Sequence, residues 1–182
     1  EYGVRQLLVE HTHFHDPEKR VHIRRLLIRA AQQKTIPIVN YNDPVSDEEN
    51  RKMELAIRRS HGDQVVECVD NDETAAVIAN LVHSKKLVLM TSTEGIYRDP
   101  ADPKTLVEQV TAKSMEELEE KVRQLQESCV GASRAGANGA KAKLEYALKS
   151  ARQGTMVIIG HARHRLSDLV EGRVACTRIG LE

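Results

Sequence analysis

Apolar residues fall along this chain in two kinds of grouping, and the two alternate. Short runs rich in branched side chains have the length and content of buried strands: Leu7 to Val9 within Arg5 to Glu10, Ile36 to Val39, Val65-Val66, Lys86 to Met90 and Thr155 to Gly160. Between them lie stretches with helical spacing and helical punctuation. Asp16 as N-cap and Pro17 at the first helical position open a helix to about Lys34, with Val21, Leu27, Ile28 and Ala31 on one face. Ser46 with Glu49 forms a capping box for a helix over 47–60, closed by His61-Gly62. Thr74 to Leu81 is an alanine-rich helix, and Ser114 with Glu117 caps a charged amphipathic surface helix reaching about Ser128. A small-residue loop, 131–143, runs into a helix that carries Leu144, Ala147 and Leu148. Leu166 to Val170 is a short helix ending at Gly172. Strands alternating with helices predict an α/β domain, layered around a mostly parallel sheet.

Composition narrows the partners. At 182 residues the chain can bury a substantial core as one domain, 1–182. Lysine plus arginine equals aspartate plus glutamate at 27 each, so no net field draws it to nucleic acid or to an acidic membrane surface. Aromatic residues are 3%, too few for base-stacking platforms, and no apolar run has the length of a membrane span. Cys68, Cys129 and Cys176 are spaced like neither a zinc ribbon nor a redox pair, which suits reduced thiols in a cytoplasm. The expected partners are a small molecule and a second copy of the chain. The chain begins at Glu1 and opens almost at once into a strand, so the native protein is expected to begin earlier.

Candidate chemistry concentrates where strands end. His11, His13 and His15 alternate and would share one face of an extended segment, but Asp16-Pro17 starts a helix directly after them, which places them on a connecting loop rather than around a metal. The basic run Lys19, Arg20, Arg24, Arg25 and Arg29 reads as a solvated helix face. Two acidic-amide clusters, Asn40-Tyr41-Asn42-Asp43 and Asp70-Asn71-Asp72, each follow a strand. The second has more acceptors than one helix cap requires, and ligands of α/β proteins sit outside the carboxyl ends of strands. Thr91 to Tyr97 is a hydroxyl-rich loop after another strand. Gly136 to Lys143 offers small residues and a lysine in the first turns of a helix, a combination able to approach a phosphate.

Taken in order, four of these blocks resemble the amino acid kinase family, and within it the glutamate 5-kinases most closely. They are Ile36 to Asp43; Asp70-Asn71-Asp72 with the helix after it; Leu89 to Pro100, with its Thr91, Gly95, Tyr97 and Asp99; and Gly136 to Lys143. The resemblance implies a three-layer αβα sandwich with a mainly parallel sheet. It also implies transfer of the γ-phosphoryl of ATP, with Mg²⁺ held mainly through the phosphates, to the side-chain carboxylate of glutamate, the first step toward proline. By the same carry-over, Asn40, Asp43, Asp70 and Asn71 hold the acceptor. Asp72 orients lysines around the transferring phosphate, and Lys143 neutralises its oxygens. Thr91, Ser92, Gly95, Tyr97, Gly136 and Gly139 receive the nucleotide, and no dedicated protein metal site is expected.

The sequence also departs from the family pattern. Ser92 stands where the family has Asp, Tyr41 where it has Glu, and Val69 where it has Gly; Ala137, Asn138 and Ala140 replace Thr, Gly and Met. The connection from Asp43 to Asp70 is longer by about one helix. The family's glycine-rich first loop and its lysine have no counterpart, so the domain is expected to lack its N-terminal portion. No appended RNA-binding-type domain is expected. Two alternatives follow: a kinase of this fold acting on another acceptor, such as a nucleoside monophosphate, or a non-catalytic protein that binds nucleotide or amino acid.

Overall fold

The computed structural model describes residues 2–10, 12–41, 71–99, 101–128 and 139–182. By internal contacts the chain forms two units, residues 1–69 and 70–182.

In the first unit, β1 (Gly3–Val9) and β2 (Thr35–Tyr41) pair in parallel, with Val4 opposite Ile36 and Leu8 opposite Asn40. Parallel neighbours need a crossover, and it is supplied by α1 (Thr12–His15) and α2 (Pro17–Gln32). Asp16 caps α2 as its sequence foretells: the carboxylate accepts from the N–H groups of Glu18 and Lys19 at 2.8 and 3.2 Å. The buried face of α2 is Ile23, Leu27 and Ala30. The expected face is out of phase at its ends: Val21 is 47% exposed and Ala31 is exposed, while Ile23 and Ala30 are buried in their place. This helix carries apolar residues on much of its circumference, so spacing alone left its phase open. The basic residues from Lys19 to Arg29 are exposed.

The second unit holds a four-stranded sheet, β3 (Lys86–Thr91), β4 (Gln109–Ala112), β5 (Met156–His161) and β6 (Thr177–Leu181), in the order β3-β5-β6-β4. The pairs β3–β5 and β4–β6 are parallel, whereas β5 and β6 run antiparallel. Neither β4 nor β6 stands out in the sequence, being short and only half apolar.

Alternation along the strands divides the core between two faces. Leu87, Leu89, Val157, Ile159, Val110 and Ile179 point to one side. There they meet Ala76 and Ala79 of α3 (Asn71–Val82), Leu118 and Val122 of α4 (Met115–Ser128), and Leu144 and Ala147 of α5 (Ala140–Ala151). Ile158 and Val88 point the other way, toward Leu169 of α6 (Leu166–Glu171) and Cys176. Helices thus cover both faces, giving the three layers expected. Helix α6 ends where Gly172 takes φ 73°, a left-handed conformation that glycine adopts without a Cβ penalty. Its last carbonyls accept from Arg178, at 2.8 Å from Leu169 O, and from Lys86, at 3.3 Å from Val170 O.

Candidate active site

The site is positioned by the ends of helices and strands in the second unit. Short connections, 83–85 and 152–155, join α3 to β3 and α5 to β5. Each helix has 12 residues, about 18 Å of length, and each strand has 6, about 20 Å. Returning over that distance, the first turns of α3 and α5 reach back toward the carboxyl ends of β3 and β5.

Two residues that the sequence reading singled out meet there. Asp72 lies in the first turn of α3, which begins three residues before the expected Thr74. A carboxylate in a first turn is favoured by the positive end of the helix dipole, and this offsets the low helix propensity of Asn71 and Asp72. Lys143 lies one turn into α5, and its Nζ forms an ion pair with Asp72 across 71 residues of sequence. The two side chains are only 17% and 22% exposed, so water screens this pair less than it does a surface one. The N-cap of α5 is Gly139, which has no side chain to accept from the first-turn N–H groups. A helix start of this kind, with Lys141 and Lys143 in its opening turns, has the donors and the field that an anion needs.

The loop leaving β3 is held at several points. The carbonyl of Thr91 accepts from Ala162 N–H at 2.8 Å. The N–H of Ile96 donates to Thr177 Oγ1 at 2.8 Å, and the same hydroxyl donates to the Val107 carbonyl at 2.7 Å. Gly95 lies against this junction: a Cβ there would come within 2.4 Å of Thr177 Oγ1 and 2.9 Å of its backbone N. The position requires glycine because Thr177 has no room to retreat, being fully buried. Ser92 is exposed, and Tyr97 bridges to Leu106. Thr177 was not foreseen as part of the site. Its hydroxyl is an ordinary one in sequence, and only its depth and its two partners make it matter.

Other expected residues lie elsewhere. Asn40 is the penultimate residue of β2 in the first unit, with its side chain exposed. Asp43, Asp70 and Gly136 fall outside the described residues, as do the 47–60 helix and the Val65-Val66 strand. The alternating histidines were expected on a loop, yet Thr12–His15 forms one helical turn. The Nδ1 of His13 accepts from Glu10 N–H at 2.9 Å and Phe14 is buried, so the turn serves packing. Among the described residues no three His, Cys, Asp or Glu side chains converge as a metal site, and no helix is long and apolar enough to cross a membrane.

A sequence model of the amino acid kinase family matches residues 2–161. This chain belongs to that family. Among curated amino acid kinase relatives, the glutamate 5-kinase of Geobacillus kaustophilus is 30% identical over 179 residues, covering 97% of this chain and 42% of its own length. That of Chromobacterium violaceum is 28% identical over 183 residues, covering 98% and 44%. The chain therefore spans less than half the length of the curated relatives it matches. Among solved structures, carbamate kinase from Giardia lamblia bound to AMP-PNP superposes with a TM-score of 0.54 at 17% identity, over 90% of this chain and 45% of that one. An Aeropyrum pernix structure gives 0.50 at 18%, over 87% and 45%. These likenesses bear on the fold, which is that of the amino acid kinases.

Proposed function

We propose that this chain forms the phosphoryl-transfer part of an ATP-dependent kinase whose acceptor is a small carboxylate, the side-chain carboxylate of L-glutamate first. The observation that carries the reading is the Asp72–Lys143 pair at the carboxyl edge of the sheet, beside the uncapped start of α5. In such a transfer an acceptor oxygen attacks the γ-phosphorus, the bond to the β-phosphate oxygen breaks, and an acyl phosphate and ADP leave. Little covalent chemistry is asked of the protein; alignment and positive charge do most of it. Asp72 fixes the ammonium of Lys143, and Lys143 meets the charge on the transferring oxygens. The start of α5 and the 91–97 loop take the nucleotide. Mg²⁺ would arrive on the nucleotide phosphates and add positive charge there. The donor set fits this, since the edge offers lysines and N–H groups for the phosphates rather than a cage of carboxylates.

The choice of glutamate is supported by the names of the curated relatives and by Asn40, Asp43, Asp70 and Asn71, which match the acceptor motifs of the family. We read the chain as one kinase-like domain working in the cytoplasm, in a homo-oligomer. ADP release is the direct test, measured against a panel of amino acids and nucleoside monophosphates. Glutamate-dependent turnover is expected. Turnover with a nucleoside monophosphate alone would replace the acceptor, and none with any acceptor from protein that binds ATP would end the enzyme reading.

A further inference from the structure

The loop leaving β3 and the turn leaving β5 are joined by a cluster of four side chains. Glu94 belongs to the first; His161, Arg163 and His164 belong to the second. One carboxylate oxygen of Glu94 accepts from the Arg163 guanidinium, and the other lies 2.6 Å from His164 Nε2. With the carboxylate ionised, that nitrogen is the donor. The Glu94 and His164 side chains are 18% and 20% exposed, whereas Arg163 is 63% exposed. Within the β5 turn, the Arg163 N–H donates to His161 Nδ1 at 3.0 Å, and the His161 and His164 rings meet edge to face with centroids 6.2 Å apart.

The location gives this cluster a task. Residues 92–95 arch between two backbone anchors, the Thr91 carbonyl and the Ile96 N–H. Inside the arch, Thr93 Oγ1 donates to the Gly95 carbonyl at 3.1 Å, and Glu94 ties the crest to the neighbouring turn. An exposed ion pair contributes little, but a carboxylate this far buried, gripped by two donors from one other loop, holds a single geometry. We propose that Glu94, His164 and Arg163 form a clasp that sets the shape of the 91–97 arch before nucleotide enters. Glu94 and His164 are positioning residues, which act through the arch and do not touch the reacting atoms. The inference rests on the reading that this edge takes ATP. A loop already in its bound shape loses less freedom on binding, so the clasp acts on nucleotide affinity and leaves the chemical step alone.

The test is steady-state kinetics on Glu94→Gln and His164→Asn, with titration of a fluorescent ATP analogue into each protein. KM for ATP is expected to rise roughly five- to twenty-fold, analogue binding to weaken in parallel, and kcat and the acceptor KM to stay within about two-fold. The double variant should be little worse than either single one, because both remove the same tie. Should Glu94→Gln fail to fold, Arg163→Gln, changed at an exposed side chain, carries the same test with a smaller rise. An unchanged ATP KM in the folded variants overturns the clasp. So does an equal rise in both substrates' KM with a lowered Tm, the mark of general loosening. Wild-type protein that binds no nucleotide defeats the kinase reading itself, a result distinct from wild-type binding that the variants leave intact.

Discussion

Asp72 and Lys143 show what one pair of residues can be asked to do. Each is mostly buried, so removing one partner leaves the other's charge poorly solvated. Lys143→Ala is expected to destabilise the fold by about 1–2 kcal/mol, between the values for exposed and fully buried pairs. Its effect on the reaction should be larger, with kcat reduced roughly 10²- to 10³-fold, the loss typical when one charge-stabilising donor is removed. Asp72→Asn keeps shape and hydrogen-bonding capacity but releases the lysine from its fixed direction, and kcat should fall with a smaller change in stability. Denaturant unfolding and single-turnover kinetics on both variants separate the two effects. If Lys143→Ala lowers stability and leaves kcat unchanged, the pair is a packing device and not part of the transfer site.

At the scale of elements, α4 is the helix whose sequence says most. Ser114 accepts from the Glu117 N–H at 3.2 Å, and Glu117 reaches back to the Lys113 N–H at 3.3 Å. Leu118, Val122 and Leu125 form its buried stripe. Ser114→Ala should cost about 0.5–2 kcal/mol in chemical denaturation, the usual range for a lost N-cap. The hydrogen bond from Lys121, and after it the one from the Lys113 backbone, hold the Glu117 carboxyl below the usual glutamate range. A carboxyl pKa depressed by folding adds stability above the unfolded value, and that stability is lost as pH falls through the folded value. The start of α4 should therefore loosen in acid, and Glu117→Gln should flatten that part of the pH profile. An NMR titration placing Glu117 at or above the ordinary glutamate value would remove the basis for this.

At the scale of the molecule, the two units differ in how their sheets are supported. Strand β5 is hydrogen-bonded on both sides, and its Val157, Ile158 and Ile159 are fully buried. Strands β1 and β2 pair only with each other among the described residues, and Val4, Leu8, Ile36 and Ile38 are 45–64% exposed. Two-stranded sheets are marginal without further cover, and local opening follows exposure. Hydrogen exchange should find the β5 amides among the slowest in the chain and those of β1 and β2 markedly faster. Equal protection in the two sheets would mean that the first has support beyond the contacts described.

The sequence by itself determined whatever depends on neighbours within a turn or a strand: the Asp16-Pro17 start of α2, the Ser114–Glu117 start of α4, the Gly172 stop of α6, and the alternation of strands and helices that marks the family's α/β fold. It also carried Asp72 and Lys143, because each sits in one of four blocks that follow the order of the family's motifs. Tertiary structure decided what depends on partners far along the chain. It set the phase of α2, where apolar residues on several sides leave spacing undecided. It turned β6 antiparallel to β5, since strand direction is fixed by the connection through α6 and not by composition. It brought Thr177 beneath the 91–97 arch and Glu94 to His164 some 70 residues away, contacts that leave no periodic trace. The loop after β3 could be read because local backbone geometry places it at the end of a strand. What grips that loop could not, because a hydroxyl or a carboxylate acquires its role from depth and from the donors that folding brings to it.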